Sequence, residues 1–183
     1  MIEEQNIELD EVSDQLVKKA IKQDCGICKH LYHGTSKYNA HQIQNKSEIN
    51  TLSDIGYLGT GFYCYQFDEG ASKIWAKKKY ENGKIAILGL VANLGNTFFI
   101  CKELHQIFHN RANELRDIHL ELNKKIGYVI ELFIKKIIKP DYNIDIHTVG
   151  KAYIFKENGT RPVVMFSLRD KLMVKKIEIY WEE

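Results

Sequence analysis

Proline is nearly absent from this chain: Pro140 and Pro162 are its two copies in 183 residues, which excludes Pro-rich linkers. An excess of one charge sign is missing too. Twenty-six Lys and Arg stand against 24 Asp and Glu, a formal net charge of +2, so the whole molecule has no strong electrostatic drive toward nucleic acid or an anionic membrane. No apolar run reaches the ~20 residues that a membrane-spanning helix needs. The opening Met1-Ile2-Glu3-Glu4-Gln5-Asn6 is acidic and lacks the cationic and apolar blocks of a signal peptide. Four cysteines, Cys25, Cys28, Cys64 and Cys101, do not make a disulfide framework in a chain of this size. These absences together lead to the expectation of a reduced, cytoplasmic protein with no membrane partner. Internal repeats and low-complexity tracts are also missing.

Hydrophobic residues make up 44% and charged residues 27%, enough apolar material for a folded core. One domain over residues 1–183 is the expected organisation. Acidic residues precede basic ones between Glu8 and Gln23, with Val12, Leu16 and Ala20 as an apolar stripe, which predicts a helix ending before Cys25-Gly26. Lys29 to His33 reads as a strand closed by Gly34, and Ser36 as the cap of a following helix. Asn45 to Gly61 reads as a polar, Gly-rich loop, Phe62 to Tyr65 as extended, and Asp68 as the start of a helix. Lys84 to Ala92 is too continuously apolar for a surface strand. Lys102 to Lys139 has helical spacing, with Gly127 as its break and Pro140 as its end. Strands are then expected at Lys151 to Phe155, Val163 to Ser167 and Met173 to Trp181, the first two joined by a hairpin turn at Asn158-Gly159. This order reads as α+β.

Two segments carry the chemistry. Leu31-Tyr32-His33-Gly34-Thr35-Ser36 puts a histidine at a strand end before a Gly turn. Gly59-Thr60-Gly61-Phe62-Tyr63 feeds two glycines into an aromatic strand, followed by Ala71-Ser72-Lys73-Ile74-Trp75 on a helix. In this order the pair resembles the ADP-ribosyltransferase superfamily, of the diphtheria-toxin and poly(ADP-ribose) polymerase type. His33, Gly34 and Thr35 match that family's His-Gly-Ser/Thr motif. Gly59, Gly61 and Tyr63 match its Gly-x-Gly-x-Tyr strand, and Ser72 falls about one residue from its helix serine.

The resemblance implies a split β-sandwich with helices at the edges, a long helical insertion over about 102–139, and NAD as substrate. The implied reaction is mono-ADP-ribosyl transfer to a macromolecule with release of nicotinamide. Its leaving group departs neutral and its transition state is oxocarbenium-like, so the site must hold the dinucleotide bent and favour developing positive charge. In the family's manner His33 would bond the adenosine-side ribose, and the backbone of Gly34 would meet the nicotinamide carboxamide. Tyr63 would lie against the cationic nicotinamide, an attraction of roughly 0.5–2 kcal/mol. Thr35, Gly61, Ser72 and Trp75 complete the implied cofactor-binding set. The partners implied are an acceptor, protein or nucleic acid, and a neutralising or regulatory protein.

One departure is marked. The family's late-strand glutamate would align with Arg161 or Pro162, which disfavours chain-forming activity and leaves two readings: single-unit transfer, or a catalytically silent module that binds NAD or ADP-ribose. Glu157 is the nearest acid able to substitute, with Glu178 as a later candidate. A third class, a structural interaction protein that uses the helical insertion as its surface, rests on fold-level analogy. Against all three stand plainer alternatives: a strand-end histidine bonding backbone, and a turn feeding a buried aromatic strand. Cys25-x-x-Cys28 has zinc-knuckle or redox spacing, but its completion would need the distant His105 and His109, so no metal is expected. The pairs and triplets of lysine at 77–79, 135–136 and 175–176 read as solvated faces.

Overall fold

The computed structural model describes residues 12–46, 49, 53–154 and 162–183. In chain order the elements are α1 (Asp14–Ala20), β1 (Ile21–Lys22), β2 (Ile27–Ser36), α2 (Lys37–Lys46), β3 (Ser53–Gly56), β4 (Gly59–Gln66), α3 (Glu69–Lys79), β5 (Ile85–Asn93) and β6 (Thr97–Phe99). There follow α4 (Lys102–Glu114), α5 (Leu122–Phe133), a π-helical segment (Ile134–Ile138), α6 (Lys139–Tyr142), β7 (Thr148–Ile154), β8 (Pro162–Leu168) and β9 (Val174–Glu182). The architecture is α+β. The described strands form a nine-stranded sheet in the order β1-β6-β7-β8-β4-β2-β5-β9, with β3 paired to β4 off that path. Among the described residues no helix is long and apolar enough to cross a membrane.

The sheet has a weak seam at its middle. β2 pairs with β5 from Leu31↔Leu90 through Ser36↔Ile85, and β4 pairs with β8 from Phe62↔Leu168 to Gln66↔Val164. Between β2 and β4, however, pairing is confined to Leu31↔Gln66 and Tyr32↔Tyr65. Beyond Tyr32 the two strands part, leaving two arms joined at a short hinge.

Alternation along the strands divides the apolar residues between two cores. Val163 and Met165 of β8 and Tyr65 of β4 pack with Phe98 and with Leu104, Phe108, Ile130 and Phe133 of α4 and α5. Phe166 and Leu168 of β8 and Phe62 and Cys64 of β4 join Leu31, Leu88 and Leu90 in the second core. Both arms feed the second core, so apolar packing holds them together where the ladder does not.

Local chemistry fixes the ends of the helices that flank the seam. The Asp68 carboxylate caps α3 by accepting the Ala71 N–H at 2.7 Å, and Ser36 Oγ accepts the Asn39 N–H at 3.2 Å at the start of α2. Five sequence expectations need correction. The strand expected to close at Gly34 runs from Ile27 through Gly34 to Ser36, so His33 stands inside β2 rather than at its end. The first helix stops at Ala20, because Ile21 is buried and pairs with Phe98 as a strand; the part expected over 8–11 lies outside the described residues. The stretch expected as one loop contains β3, tied to β4 through Ser53↔Gly61 and Gly56↔Gly59 around the two-residue loop Tyr57-Leu58. Gly127 does not break the insertion but sits buried inside α5; the break lies between Glu114 and Leu122. Pro140 does not end the helix either. The preceding π turn, in which the Lys139 N–H reaches back to the Ile134 carbonyl, widens the coil so that the proline ring is accommodated, and the chain stays helical to Tyr142. The expected turn at Asn158-Gly159 lies outside the described residues, though the strands it would join pair antiparallel from Thr148↔Leu168 to Ile154↔Pro162.

Candidate functional site

Where β2 and β4 diverge, a cleft of about 940 Å³ opens, a size suited to a small-molecule ligand. His33 and Thr35 enter it from β2, Gly61, Phe62 and Tyr63 from β4, and Trp75 and Lys79 from α3. α2 adds Asn39, Gln42 and Ile43; the β3 hairpin adds Asp54, Ile55, Gly56 and Tyr57; the start of α5 adds Asn123 and Lys124, preceded by Glu121. The start of α5 therefore lines the same cleft as the two motif segments.

His33 spans the seam. Its Nδ1 lies 2.6 Å from the Tyr63 carbonyl oxygen, and its ring sits 4.0 Å from that of Phe62 and 6.3 Å from Trp75. A carbonyl only accepts, so Nδ1 carries the proton and Nε2 keeps its lone pair. Burial pushes the imidazole down to about 4, against the bond to Tyr63 and with the help of the nearby Lys79 charge. The ring is neutral at physiological pH, with one acceptor nitrogen to offer.

Tyr63 is fixed at both ends. Its hydroxyl accepts the Leu58 N–H at 2.8 Å and donates to the Gly59 carbonyl at 2.6 Å, which clamps the β3–β4 turn. Burial pushes the phenol far above its ordinary value, so it stays protonated. The ring packs over Gly56, where a Cβ would stand 2.7 Å from the hydroxyl oxygen. What Tyr63 can present to a ligand is its ring, held rigidly.

α5 clamps the same turn from outside. The Glu131 carboxylate accepts the Thr60 N–H at 2.7 Å and forms a two-pronged pair with Arg169 at 2.5 and 2.7 Å. One helical turn earlier, a Cβ on Gly127 would fall 1.8 Å from the Gly56 carbonyl oxygen. The glycine is what lets helix and hairpin touch backbone to backbone.

His33, Thr35, Gly61, Tyr63 and Trp75 thus line one cleft. Gly34 and Ser72 do not. A Cβ on Gly34 would fall 2.0 Å from the Ser72 carbonyl oxygen, so the missing side chain makes room for α3. Ser72 is fully buried, its hydroxyl donating to the Tyr32 carbonyl at 2.8 Å, and it fastens the helix to the strand. Glu157 and Arg161 lie outside the described residues. Glu178 shares a strand face with Gly89 and Tyr32 and pairs with Lys176 at 2.6 Å, away from the cleft-lining set. Among the described residues no group of three or more His, Cys, Asp or Glu is arranged to hold a metal ion.

Sequence reasoning overlooked Asp54, Tyr57, Glu121 and Lys124, and took Lys79 for part of a solvated run. The signal for Tyr57 was present: Gly56-Tyr57-Leu58-Gly59 is a two-residue connection with glycines on both sides, and Gly59 has φ +86°. Glu121 and Lys124 carry no local signal, because only the packing of α5 brings them to β2 and β4. No family model matches the chain, and neither a curated protein nor a solved structure matches it.

Proposed function

We propose that the cleft binds NAD and that the protein transfers a single ADP-ribosyl unit from it to an acceptor, releasing nicotinamide. One observation carries this reading. The histidine and tyrosine of two motifs thirty residues apart in sequence, His33 and Tyr63, meet at 2.6 Å through ring and backbone where β2 and β4 part and a cleft of about 940 Å³ opens. The parting of β2 from β4, with both arms closing on one core, is the behaviour asked of a split sandwich and supports the same assignment.

The chemistry of the lining agrees with it. A neutral His33 whose Nε2 accepts suits a ribose hydroxyl, which donates. The rigid Tyr63 ring suits a flat cationic pyridinium, and the attraction orients the ring in ground and transition states alike, so it positions more than it accelerates. Lys79 and Lys124 match a pyrophosphate, while Asp54 and Glu121 supply the negative field that a developing oxocarbenium ion needs. Gly34 contributes at most its backbone, since the space beside its Cα belongs to α3.

The experiment is nicotinamide release from NAD. The wild-type protein is expected to release it, and Tyr63→Ala to do so at least ~10-fold more slowly, equivalent to ~1.4 kcal/mol. Binding of NAD without release in any fractionated lysate would favour the silent binding module instead, and absence of NAD binding would end both readings.

A further inference from the structure

Three titratable side chains from separate parts of the chain meet around Tyr57, a residue that lines the cleft. The hydroxyl of Tyr57, in the β3–β4 turn, lies 2.7 Å from Nε2 of His105 on α4 and is hydrogen-bonded to Nζ of Lys151 on β7. The lysine amine also lies 4.8 Å from the centre of the Tyr57 ring. Lys151 is 8% exposed, and no carboxylate among the described residues pairs with it. It shares its inward face with Val149, two residues earlier on β7 and fully buried. Buried ammonium groups are normally neutralised by an adjacent acid. This one has a phenol and an aromatic face instead, and Tyr57 is one of the residues that line the cleft.

We propose that Tyr57 and Lys151 together form the proton-accepting group of this cleft, drawing the proton from an aliphatic hydroxyl as that hydroxyl attacks the ribose of the bound dinucleotide. The proposal rests on the NAD reading given above. In the step, the hydroxyl oxygen forms a bond to the ribose carbon while the bond from that carbon to the pyridinium nitrogen breaks, its electron pair leaving with neutral nicotinamide. The hydroxyl proton passes to the Tyr57 oxygen, the Tyr57 proton passes to the unprotonated Lys151 amine, and the amine later returns it to solvent. An alcohol needs such a base, whereas a carboxylate acceptor arrives already deprotonated.

Tyr57 is the residue that touches the acceptor, and Lys151 acts through it. Burial brings the Lys151 amine down to about 8, within the range where a lysine serves as a base near neutrality. Burial raises the Tyr57 phenol, so it conducts a proton rather than giving one up. His105 is brought down to about 4 by burial, helped by the charges of Lys151 and His109, and stays neutral as the third partner of the Tyr57 hydroxyl. The His109 ring on α4 lies 6.2 Å from that of His105, and Asp54, Glu121, Lys79 and Lys124, two of each sign, line the cleft.

Water is the simplest hydroxyl acceptor, so nicotinamide release from NAD without added target, followed from pH 6 to 9.5, is the test. The wild-type rate at low NAD is expected to rise about tenfold per pH unit and to level off near pH 8. In Tyr57→Phe and in Lys151→Met the rise should vanish and the rate at pH 8 should fall at least ~10-fold, with thermal melting to confirm that each variant is folded. A wild-type profile flat across that range, or a Tyr57→Phe variant that keeps the full rise, overturns the proposal. The amine is also read directly, by ¹⁵N NMR of labelled lysine side chains with Lys151→Arg to assign the signal. Titration near pH 8 supports the pair, and titration at or above 10.5 overturns it. Wild-type protein that releases no nicotinamide at any pH overturns the transfer reading itself, and the acceptor-activating role falls with it, whatever the amine titration shows.

Discussion

Replacing Gly127 by alanine sets two effects of opposite sign against each other. In an ordinary helix interior the change stabilises by up to about 1 kcal/mol, because alanine loses less backbone entropy. Here the new Cβ would stand 1.8 Å from the Gly56 carbonyl oxygen and 2.9 Å from the Gly59 backbone nitrogen. Both neighbours are backbone, so no side chain can swing away; α5 or the hairpin must move by more than 1 Å to restore van der Waals contact. Overpacking of this kind costs up to about 3 kcal/mol. Set against the helix-propensity gain, the net destabilisation is about 2 kcal/mol, a fall in Tm of roughly 4–8 °C for a chain of this length. The assay is thermal and urea unfolding of both proteins, with NAD affinity measured below the transition. Affinity should weaken along with stability, since the displaced hairpin carries Tyr57 and clamps Tyr63. A variant as stable as the wild type, or more so, would refute the claim that α5 seats on the hairpin backbone.

Two further predictions concern the strands at the seam. Gly34→Ala places a Cβ 2.0 Å from the Ser72 carbonyl oxygen, and should destabilise by about 3 kcal/mol as α3 is pushed off β2; an unchanged urea midpoint would mean that the glycine is not there for the helix. His33 titrates near 4 in the fold against 6.5 ordinarily. The folded state therefore binds fewer protons than the unfolded chain between those values, so its stability is fully present above pH 6.5 and lost as pH falls toward 4, on the order of 3 kcal/mol in all. Urea unfolding between pH 7 and 4 should show this loss, and His33→Asn should make the curve shallower.

Much of the β framework was legible from residue patterns. The apolar run at Ile85 to Val91 forms β5 in the middle of one arm, and the caps at Ser36 and Asp68 start α2 and α3. These signals are local: a side chain within three residues of the backbone it caps, or a strand too apolar for the surface. Of the motif residues, His33 and Tyr63 reach the cleft on strands that could be read, whereas Thr35 was expected beyond the end of its strand and Gly61 in a loop. Where the reading failed, long-range packing had overruled a local rule. Gly127 looked like a breaker because a glycine weakens an isolated helix, yet it serves a contact with Gly56, 71 positions away. Pro140 looked like a stop because α-helical geometry rejects it, and a π turn removes that objection. Lys151 was passed over as one lysine in a strand, although alternation with Val149 puts it on the inward face. Gly34 was singled out for a contact with a ligand, whereas the space beside its Cα is taken by α3.

The central claim is that the gap between β2 and β4 is the NAD site, and hydrogen–deuterium exchange read by mass spectrometry, with and without saturating NAD, tests it most directly. Slower exchange is expected in peptides covering residues 33–36 of β2, 54–63 of β3 and β4, and 121–124 at the start of α5, three stretches that are remote in sequence and meet only at that gap. Protection confined to other parts of the sheet, or none at all at saturating NAD, would contradict it.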